Sequence, residues 1–433
     1  VIVVALGGLI AIGCLIGAFT WLRRKRLIDD LPTSKARGVF IGLAELKGSA
    51  ESETPFTSYL AGVRCVQYSW QVEEQWSRMV TETYRDAQGR TQTRMRRETG
   101  WTAVGRGSEV APFYLKDDTG VIRVVPEGAV IKGNTTMNNT CGRDNALYFA
   151  KGPPGEIANS DHRRRFHETA IQLHATLYVV GQARERQDVV AAEIARDKGA
   201  PVFLISTQSE KQISTGYLGW MSLWLALGSA AAVGGALVHR LLQPEGMGSV
   251  AQPIALAMSL YAAAIGLGWI WAVYNSLVEL RQRVRQAWSQ VDVQLKRRND
   301  LIPNLALVVE GYAAHERETQ ELVTRLRSQL AATPPGVAGP DFSGIGAAVR
   351  LTAERYPELK ASESFLKLQE ALSDTEQRIA LARDYFNGIA TFYNIRLAII
   401  PDRFVAAFAG LRPQALMGAT EFERADVPVK LVS

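Results

Sequence analysis

Three stretches of about 20 residues without one charged side chain constrain this chain more than any other feature. They are residues 2–22, 217–238 and 253–274. As helices rising ~1.5 Å per residue, each is long enough to cross a hydrocarbon layer ~30 Å thick. A helix on the core of a water-soluble domain keeps a polar face. Three long helices without one predict an integral membrane protein with three spans.

The charges at their flanks give an orientation. Arg23, Arg24, Lys25 and Arg26 follow the first stretch, whereas a cleaved signal peptide carries its basic residues in front. A retained anchor with its N-terminus outside is therefore expected. Arg281, Arg283 and Arg285 follow the third stretch, while residues 243–252 hold no Lys or Arg and one Glu. By the positive-inside rule, the expected order is a first span over 1–22 and a cytoplasmic domain over 23–213. A second span over 216–242, a short external loop over 243–252 and a third span over 253–274 follow. A cytoplasmic helical domain over 275–433 completes it, in a bacterial inner membrane. Trp21, Trp220, Trp224, Trp269 and Trp271 lie in or near the end turns of the spans. With Arg23, Arg24, Lys25 and Arg26, the residues Trp220, Trp269 and Trp271 are the candidate membrane-interface set.

Cys14, Cys65 and Cys141 are the three cysteines, and no CxxC pair is present to hold zinc. No cofactor or metal is expected. The net charge of +6 is modest for 433 residues; it fits membrane lipids as a partner, with no nucleic acid expected.

The segment between the first two spans reads as mainly β. Residues 63–72 put Tyr68 and Trp70 on one face. Residues 75–84 and 90–98 are strand candidates around a turn at 86–89, and 110–115, 121–125, 176–183 and 201–205 are further apolar strands. Many short strands separated by Gly, Pro, Asn and Asp predict a barrel or sandwich. Residues 188–198 are expected to form one short helix. The run Ala111-Pro-Phe-Tyr-Leu-Lys-Asp-Asp-Thr-Gly-Val-Ile-Arg-Val resembles a core stretch of the GIDE domain. Tyr178-Val-Val-Gly181 and Phe203-Leu-Ile-Ser-Thr-Gln-Ser-Glu210 resemble two later ones. In eukaryotic relatives this domain lies between two spans and precedes a RING. Three cysteines do not supply a RING's zinc ligands, so ubiquitin-ligase activity does not carry over. Residues 161–168 are rich in ligand-type side chains, but three adjacent arginines oppose a cation there; a solvated loop with ion pairs is expected. Arg90, Arg94 and Arg96 alternate and should share one exposed face of a strand, with lipid or RNA contact the other reading.

Beyond the third span, Leu277, Leu280, Val284, Trp288, Val291, Leu295, Ile302, Leu305, Val309 and Tyr312 recur at spacings of three and four. That stripe predicts a long amphipathic helix running directly out of the third span. Pro303 should kink it or mark a tight break. Pro334, Pro335, Gly336, Gly339 and Pro340 mark a loop. A second long helix is expected over 362–399, with Phe365, Leu368, Leu372, Ile379, Tyr385 or Phe386, and Ile389 facing inward. Two such helices should pack antiparallel.

Residues 277–305, with Ala287-Trp288, Gln290-Val291-Asp292 and Arg297-Arg298-Asn299-Asp300-Leu-Ile-Pro-Asn-Leu305, closely resemble the signature helix of LemA proteins. Gly311-Tyr312, His315-Glu316, Arg378-Ile-Ala380, Arg383, Tyr385, Asn387, Tyr393-Asn394 and Pro401 extend the resemblance. It implies a cytoplasmic antiparallel helical bundle continuing from a membrane helix. Asp292 and Asp300 flank Lys296 at four-residue spacing, so i,i+4 salt bridges account for both. His315 and Glu316 are adjacent and point apart. Phe404, Val405, Phe408 and Leu411 form a short apolar run expected to close the bundle, with contact to the bilayer surface as the alternative.

No phosphate-cradling loop, nucleophile elbow or carboxylate pair stands out; Gly105-Arg-Gly107 is too short to be one. The functional expectation is a non-enzymatic membrane scaffold, a homo-oligomer formed through its helical module and spans. Candidate packing or oligomer residues are Leu280, Val284, Trp288, Val291, Leu295 and Pro303. To these are added the small-xxx-small pairs Gly13 and Gly17, Gly228 and Ala232, and Ala262 and Gly266. The alternatives are a signalling or defence adaptor whose β domain binds an unidentified partner, and, lowest, an enzyme with its site hidden in that domain.

Overall fold

The structure is a computed structural model, and it describes residues 2–39, 41–85, 91–186, 191–197, 199–241, 251–312, 321, 323, 324, 328, 349 and 362–417. Residues 243–250 of the expected external loop, the turn at 86–89, Arg90, the proline-rich loop, His315 and Glu316 lie outside the described residues, while 251 and 252 open a helix. The chain divides into two compact units, Ser34–Gln212 and a helical unit of Val1–Thr33 with Ile213–Ser433.

The first unit is built of two sheets. Strands β1 (Thr33–Ser34), β2 (Gly42–Glu51), β6 (Phe113–Lys116), β7 (Val121–Val124), β8 (Val130–Lys132), β11 (Thr176–Glu185), β12 (Ala192–Ala195) and β13 (Leu204–Ser206) form one. Its order is β1-β2-β6-β7-β12-β11-β13-β8, and a further β2–β11 pairing closes five of these strands on themselves. The enclosed core is Leu46, Phe113, Leu115, Ile122, Val124, Val179, Ile194 and Ile205. Closure removes the free edges that an open sheet of this length exposes.

The second sheet runs β3 (Phe56–Thr57), β4 (Arg64–Arg85), β10 (Ser160–Gln172) and β9 (Asn134–Gly142), with β5 (Thr91–Val110) on the other edge of β4. The strand candidates at 63–72 and 75–84 are one continuous strand. Beyond Arg78, β4 pairs with β5 alone, which leaves a two-stranded ribbon.

Two sequence expectations fail in this unit. Residues 161–168 belong to β10 rather than to a loop, paired with β4 and β9. The period of two sends Arg163 to solvent and Arg164 and Phe166 into the interior. The short helix expected over 188–198 is strand β12 at Ala192–Ala195; residues 187–190 and 198 are outside the described residues. Ala and Glu favour helix, but antiparallel pairing to β11 and parallel pairing to β7 override that weak preference.

The helical unit contains α1 (Ile2–Asp29), α3 (Glu210–Leu241), α4 (Ala251–Tyr312), α5 (Glu363–Ala398) and α6 (Asp402–Phe408); α2 (Ala146–Ala150) lies in the β unit. Three of these helices, with apolar windows in Ala5–Asp29, Glu210–Leu241 and Ala251–Val309, are long and apolar enough to cross a membrane. Side-chain pairs set their directions. A Cβ on Gly7 would meet Gly235, and one on Gly17 would meet Trp224, while Trp21 stacks on Trp220. As α1 numbers rise α3 numbers fall, so α1 and α3 are antiparallel. Gly228 approaches both Cys14 and Tyr261, and Gly268 approaches Phe19. Here the numbers rise together, so α1 and α4 are parallel.

α4 is a single helix of 62 residues, roughly 90 Å long, and its second half leaves the apolar stretch without a break. Pro303 lies inside it, exposed, and the expected break is absent. Ile302 and Leu305 on either side are buried in one core with Phe365 and Leu372. α5 starts at Ser362, whose hydroxyl accepts the Phe365 N–H at 3.4 Å. Trp288 meets Phe386 edge-on at 5.5 Å, while Ile302 and Val309 share a core cluster with Phe365. The α4–α5 pair is therefore antiparallel. The expected inward residues are buried, with Phe386 rather than Tyr385 in the core; Leu368 is half-buried.

Candidate functional site

Several ionisable side chains of the helical unit meet where α1 ends. Asp30, just past α1, accepts from Arg396 Nη1 at 2.8 Å, and Ser276 Oγ of α4 lies 3.5 Å from the same carboxylate oxygen. Arg396, near the end of α5, also donates through Nε to Asp402 at 2.7 Å, the first residue of α6. Arg26, one turn back on α1, places Nη2 4.0 Å from Asp402. Its Nη1 is buried and has no hydrogen-bond partner among the described residues. Burial pushes the Asp30 carboxyl above its ordinary value, against the pull of Arg396 and Arg26. Four ionisable side chains thus clasp the end of α1 to α5 and α6. Leu27, Ile28 and Leu31 are buried beside them, and a Cβ on Gly388 would lie 3.2 Å from Pro32.

A second device sits on α5. The Asn394 amide donates to the Gln414 carbonyl at 2.8 Å and accepts the Gln414 N–H at 2.8 Å. Two helical turns earlier, Asn387 does the same to Met417, at 3.1 and 2.9 Å. Side chains seven apart share a helix face, so the two asparagines hold the backbone of residues 411–417 irrespective of its side chains.

The membrane-interface candidates fall as follows. Arg23 and Arg24 are exposed, and Arg24 lies 4.9 Å over the Trp21 ring. Lys25 pairs with Asp29, and Arg26 turns inward to the clasp. Trp220 stacks on Trp21 at 6.0 Å, with Tyr217 5.3 Å from the same indole. Trp271 is exposed and Trp269 half-buried.

Among the small-residue pairs, Gly17, Gly228 and Ala232 sit at helix contacts within the chain. Gly13 and Gly266 face open space, and Ala262 is exposed. Gly7, Gly235 and Gly268 are contact glycines that spacing alone did not single out. Leu280, Val284, Val291 and Leu295 are buried and Trp288 half-buried within the chain itself. Asp292 is half-buried on α4. Lys296 and Asp300 stay exposed, where pairing gains little over side-chain freedom. The apolar run near the end divides: Phe404 and Phe408 are 66% and 97% exposed, while Val405 and Leu411 are half-buried.

In the β unit, fully buried Arg164 donates from Nε to Glu74 at 3.0 Å. It also reaches the carbonyls of Tyr148 (2.7 Å), Pro153 (2.8 Å) and Gly155 (2.6 Å). Glu74 further accepts from Tyr148 Oη at 3.1 Å and Ser160 Oγ at 2.6 Å. Burial drives the Tyr148 phenol up to about 12. The network ties the chain between β9 and β10 to the sheet and leaves no free group for chemistry.

A shallow groove of about 460 Å³ lies over the same sheet, lined by Ser69, Trp70, Gln71, Arg106, Gly107, Ser108 and His167. Gly107 belongs to β5, where a Cβ would come within 2.7 Å of the Trp70 indole; the glycine makes room for the ring. Arg94 and Arg96 share a ribbon face as expected, opposite Glu82 and Val80, and Arg94 bonds Glu82 at 3.0 Å.

Cys65 is raised to about 11 by burial, with Glu168 and Glu109 adding to it, so it remains a protonated thiol. No group of three His, Cys, Asp or Glu side chains converges as a metal site among the described residues.

Known families resemble two separate regions of the chain. Residues 287–431 match the LemA family, and residues 81–239 match the GIDE model, described as E3 ubiquitin ligase. The second match begins in the ribbon and runs through most of α3. Protein LemA of Metamycoplasma hominis is 29% identical over 170 residues, 37% of this chain and 78% of that protein. Magnetosome protein MamQ of Magnetospirillum gryphiswaldense is 24% identical over 201 residues, 39% of this chain and 73% of that protein. Magnetosome protein MamQ 2 of Paramagnetospirillum magneticum is 25% identical over 171 residues, 32% and 62% of the two chains. The C-terminal third therefore matches the LemA family and the middle of the chain the GIDE model. The matches and the three apolar helices together support a membrane-associated protein of LemA type.

Proposed function

We propose that the protein is a non-enzymatic membrane scaffold that crosses a bacterial inner membrane three times and assembles with further copies of itself. One observation carries this reading. α1 and α4 run parallel with α3 between them in direction, so Trp21, Tyr217 and Trp220 meet at one end of the apolar helices. The chain after α1, the chain before α3 and the long extension of α4 all leave from that end. It is also the end marked by Arg23, Arg24, Arg281 and Arg285, which under the positive-inside rule is cytoplasmic. The N-terminus is then outside and both soluble regions are inside. Gly13, Ala262 and Gly266, small and unused within the chain, offer close approach to another copy. Envelope organisation, membrane remodelling or stress response are the roles this architecture suits. Light scattering of the protein in detergent or lipid discs tests the scaffold: an assembly is expected, and a strict monomer overturns it.

The ribbon supports an adaptor as second reading. β5 has twenty residues, none buried, and its outer edge is unpaired among the described strands. Such an edge accepts an added strand from a partner. Capture by the full chain but not by a version with residues 77–99 shortened is the expected result, and equal capture by both rejects it.

A further inference from the structure

α6 has two unlike faces. Asp402 and Ala406 are buried, whereas Phe404 and Phe408, one turn apart, are 66% and 97% exposed. The exposed apolar surface continues onto Ile400 and onto the last turns of α5 through Ile399 and Ile395. Arg403 and Arg412 are exposed beside it. A phenylalanine almost wholly in water, with four apolar neighbours, is a surface built for contact.

The clasp says what lies nearby. Asp402, which opens α6, lies 4.0 Å from Arg26, one turn beyond the uncharged run that ends at Leu22. Asp30, just past α1, bonds Arg396 at 2.8 Å, and Ser276 on the parallel helix α4 lies 3.5 Å from the same Asp30 oxygen. One helical turn is ~5.4 Å and the headgroup layer beyond the hydrocarbon is of similar depth, roughly 5–7 Å. α6 is seven residues, about 10 Å long, so all of it stays close to that layer. Arg23 and Arg24 are exposed at the same level.

We propose that the α5–α6 corner is a bilayer-seated wedge. Phe404, Phe408, Ile400 and Ile399 enter the headgroup and upper acyl region, and Arg403, Arg412, Arg23 and Arg24 meet anionic lipid phosphates. This rests on the reading of α1 as a membrane span. It means that the LemA-type region touches the membrane at two places, through α4 and through this corner, and the ion-pair clasp fixes the distance between them. Apolar burial flanked by basic residues is the chemistry of interfacial helices.

The test uses the full chain in vesicles of phosphatidylcholine with phosphatidylglycerol. Single cysteines replace Phe408, Ala407, Ile10 and Leu366 and carry an environment-sensitive fluorophore; the native cysteines are all buried. Ala407→Cys keeps both phenylalanines. Lipids spin-labelled near the headgroup are expected to lower emission at 408 and 407 by roughly half, with little quenching by aqueous iodide. The reverse is expected at 366, at the far end of α5. Quenching of the Ile10 label by lipid with iodide quenching at 407 and 408 overturns the wedge and leaves the span reading intact. No quenching at Ile10 by lipids spin-labelled deep on the acyl chain overturns both. Protection of 407 and 408 from both quenchers means that protein covers the corner, and this also overturns the proposal.

Discussion

Arg164 in the β unit and Arg396 in the helical unit are both bonded to carboxylates, the first fully buried and the second half-buried, and what surrounds them differs. Arg164 has all its partners within one sheet and one connection: Glu74 and three backbone carbonyls of residues 148–155. Arg396 joins positions from opposite ends of the chain, Asp30 and Asp402, with Arg26 beside it only partly satisfied. A buried ion pair repays its desolvation only when the remaining lone pairs and protons are bonded too. The first network meets that condition and acts as a local rivet. The second falls short of it, and what it gains is connection between α1, α4, α5 and α6.

The largest expected effect therefore belongs to the rivet. Arg164→Met leaves Glu74 charged, buried and stripped of its guanidinium, at a cost of about 3–5 kcal/mol. Urea unfolding followed by tryptophan fluorescence measures it. Adding Glu74→Leu should recover much of the loss, because an apolar pair carries no desolvation debt. If the double variant is no more stable than the single, the loss comes from the three carbonyls rather than the charge.

Arg396→Met should cost less, about 2 kcal/mol, the worth of charge-assisted bonds at a more hydrated place. Its distinctive consequence is uncoupling: proteolysis should begin to separate α1 from α5 and α6 while β-unit unfolding stays unchanged. An Arg396 loss as large as that of Arg164 would erase the contrast between the two networks. Below these come the asparagines. Asn387→Ala and Asn394→Ala each remove two neutral hydrogen bonds, roughly 1 kcal/mol per residue. Amide exchange at Met417 and Gln414 should quicken about fivefold at the matching site, and unchanged exchange would show that the tail is held by other contacts.

The same contrast separates what could be read from the sequence. The three apolar stretches, the α4 stripe and its continuation out of the third stretch are periodic patterns of single elements, and they are present as read. The inward face of α5 was legible for the same reason. Partnership between distant positions was not. Asp30, Arg396 and Asp402 look like ordinary surface charges until the antiparallel return of α5 brings residue 396 level with residue 30. Arg164 was hidden by the opposite effect, since three adjacent arginines suggest solvent and only the pairing of β10 shows that the middle one points inward. Small residues were half legible: Gly17 and Gly228 lie at contacts and Gly13 and Gly266 do not, because spacing names a face without saying which neighbour it meets. Asn387 and Asn394 carried a usable signal, two identical amides two turns apart.

Acid should separate the two units with the smallest effect and the clearest sign. In the β unit, burial alone would raise the Asp117 carboxyl. The N–H groups of Ala36 (2.7 Å), Thr119 (2.7 Å) and Gly120 (3.0 Å) and the Thr119 hydroxyl (2.7 Å) instead hold it below its ordinary 3.8. A depressed carboxyl contributes stability that is present above 3.8 and is lost as pH falls through its folded value. Asp30 is displaced the other way, raised above 3.8 by burial against Arg396. Its contribution is complete below 3.8 and fades as pH rises through the folded value. Acidification from neutral to about pH 4 should therefore leave the helical unit at least as stable as before, and further acid should weaken the β unit first. Asp117→Asn should flatten that second limb and lower neutral-pH stability by roughly 1 kcal/mol. Circular dichroism resolves the order, because helical signal lost before β signal would mean that the clasp depends on an ionised Asp30 more than its burial allows.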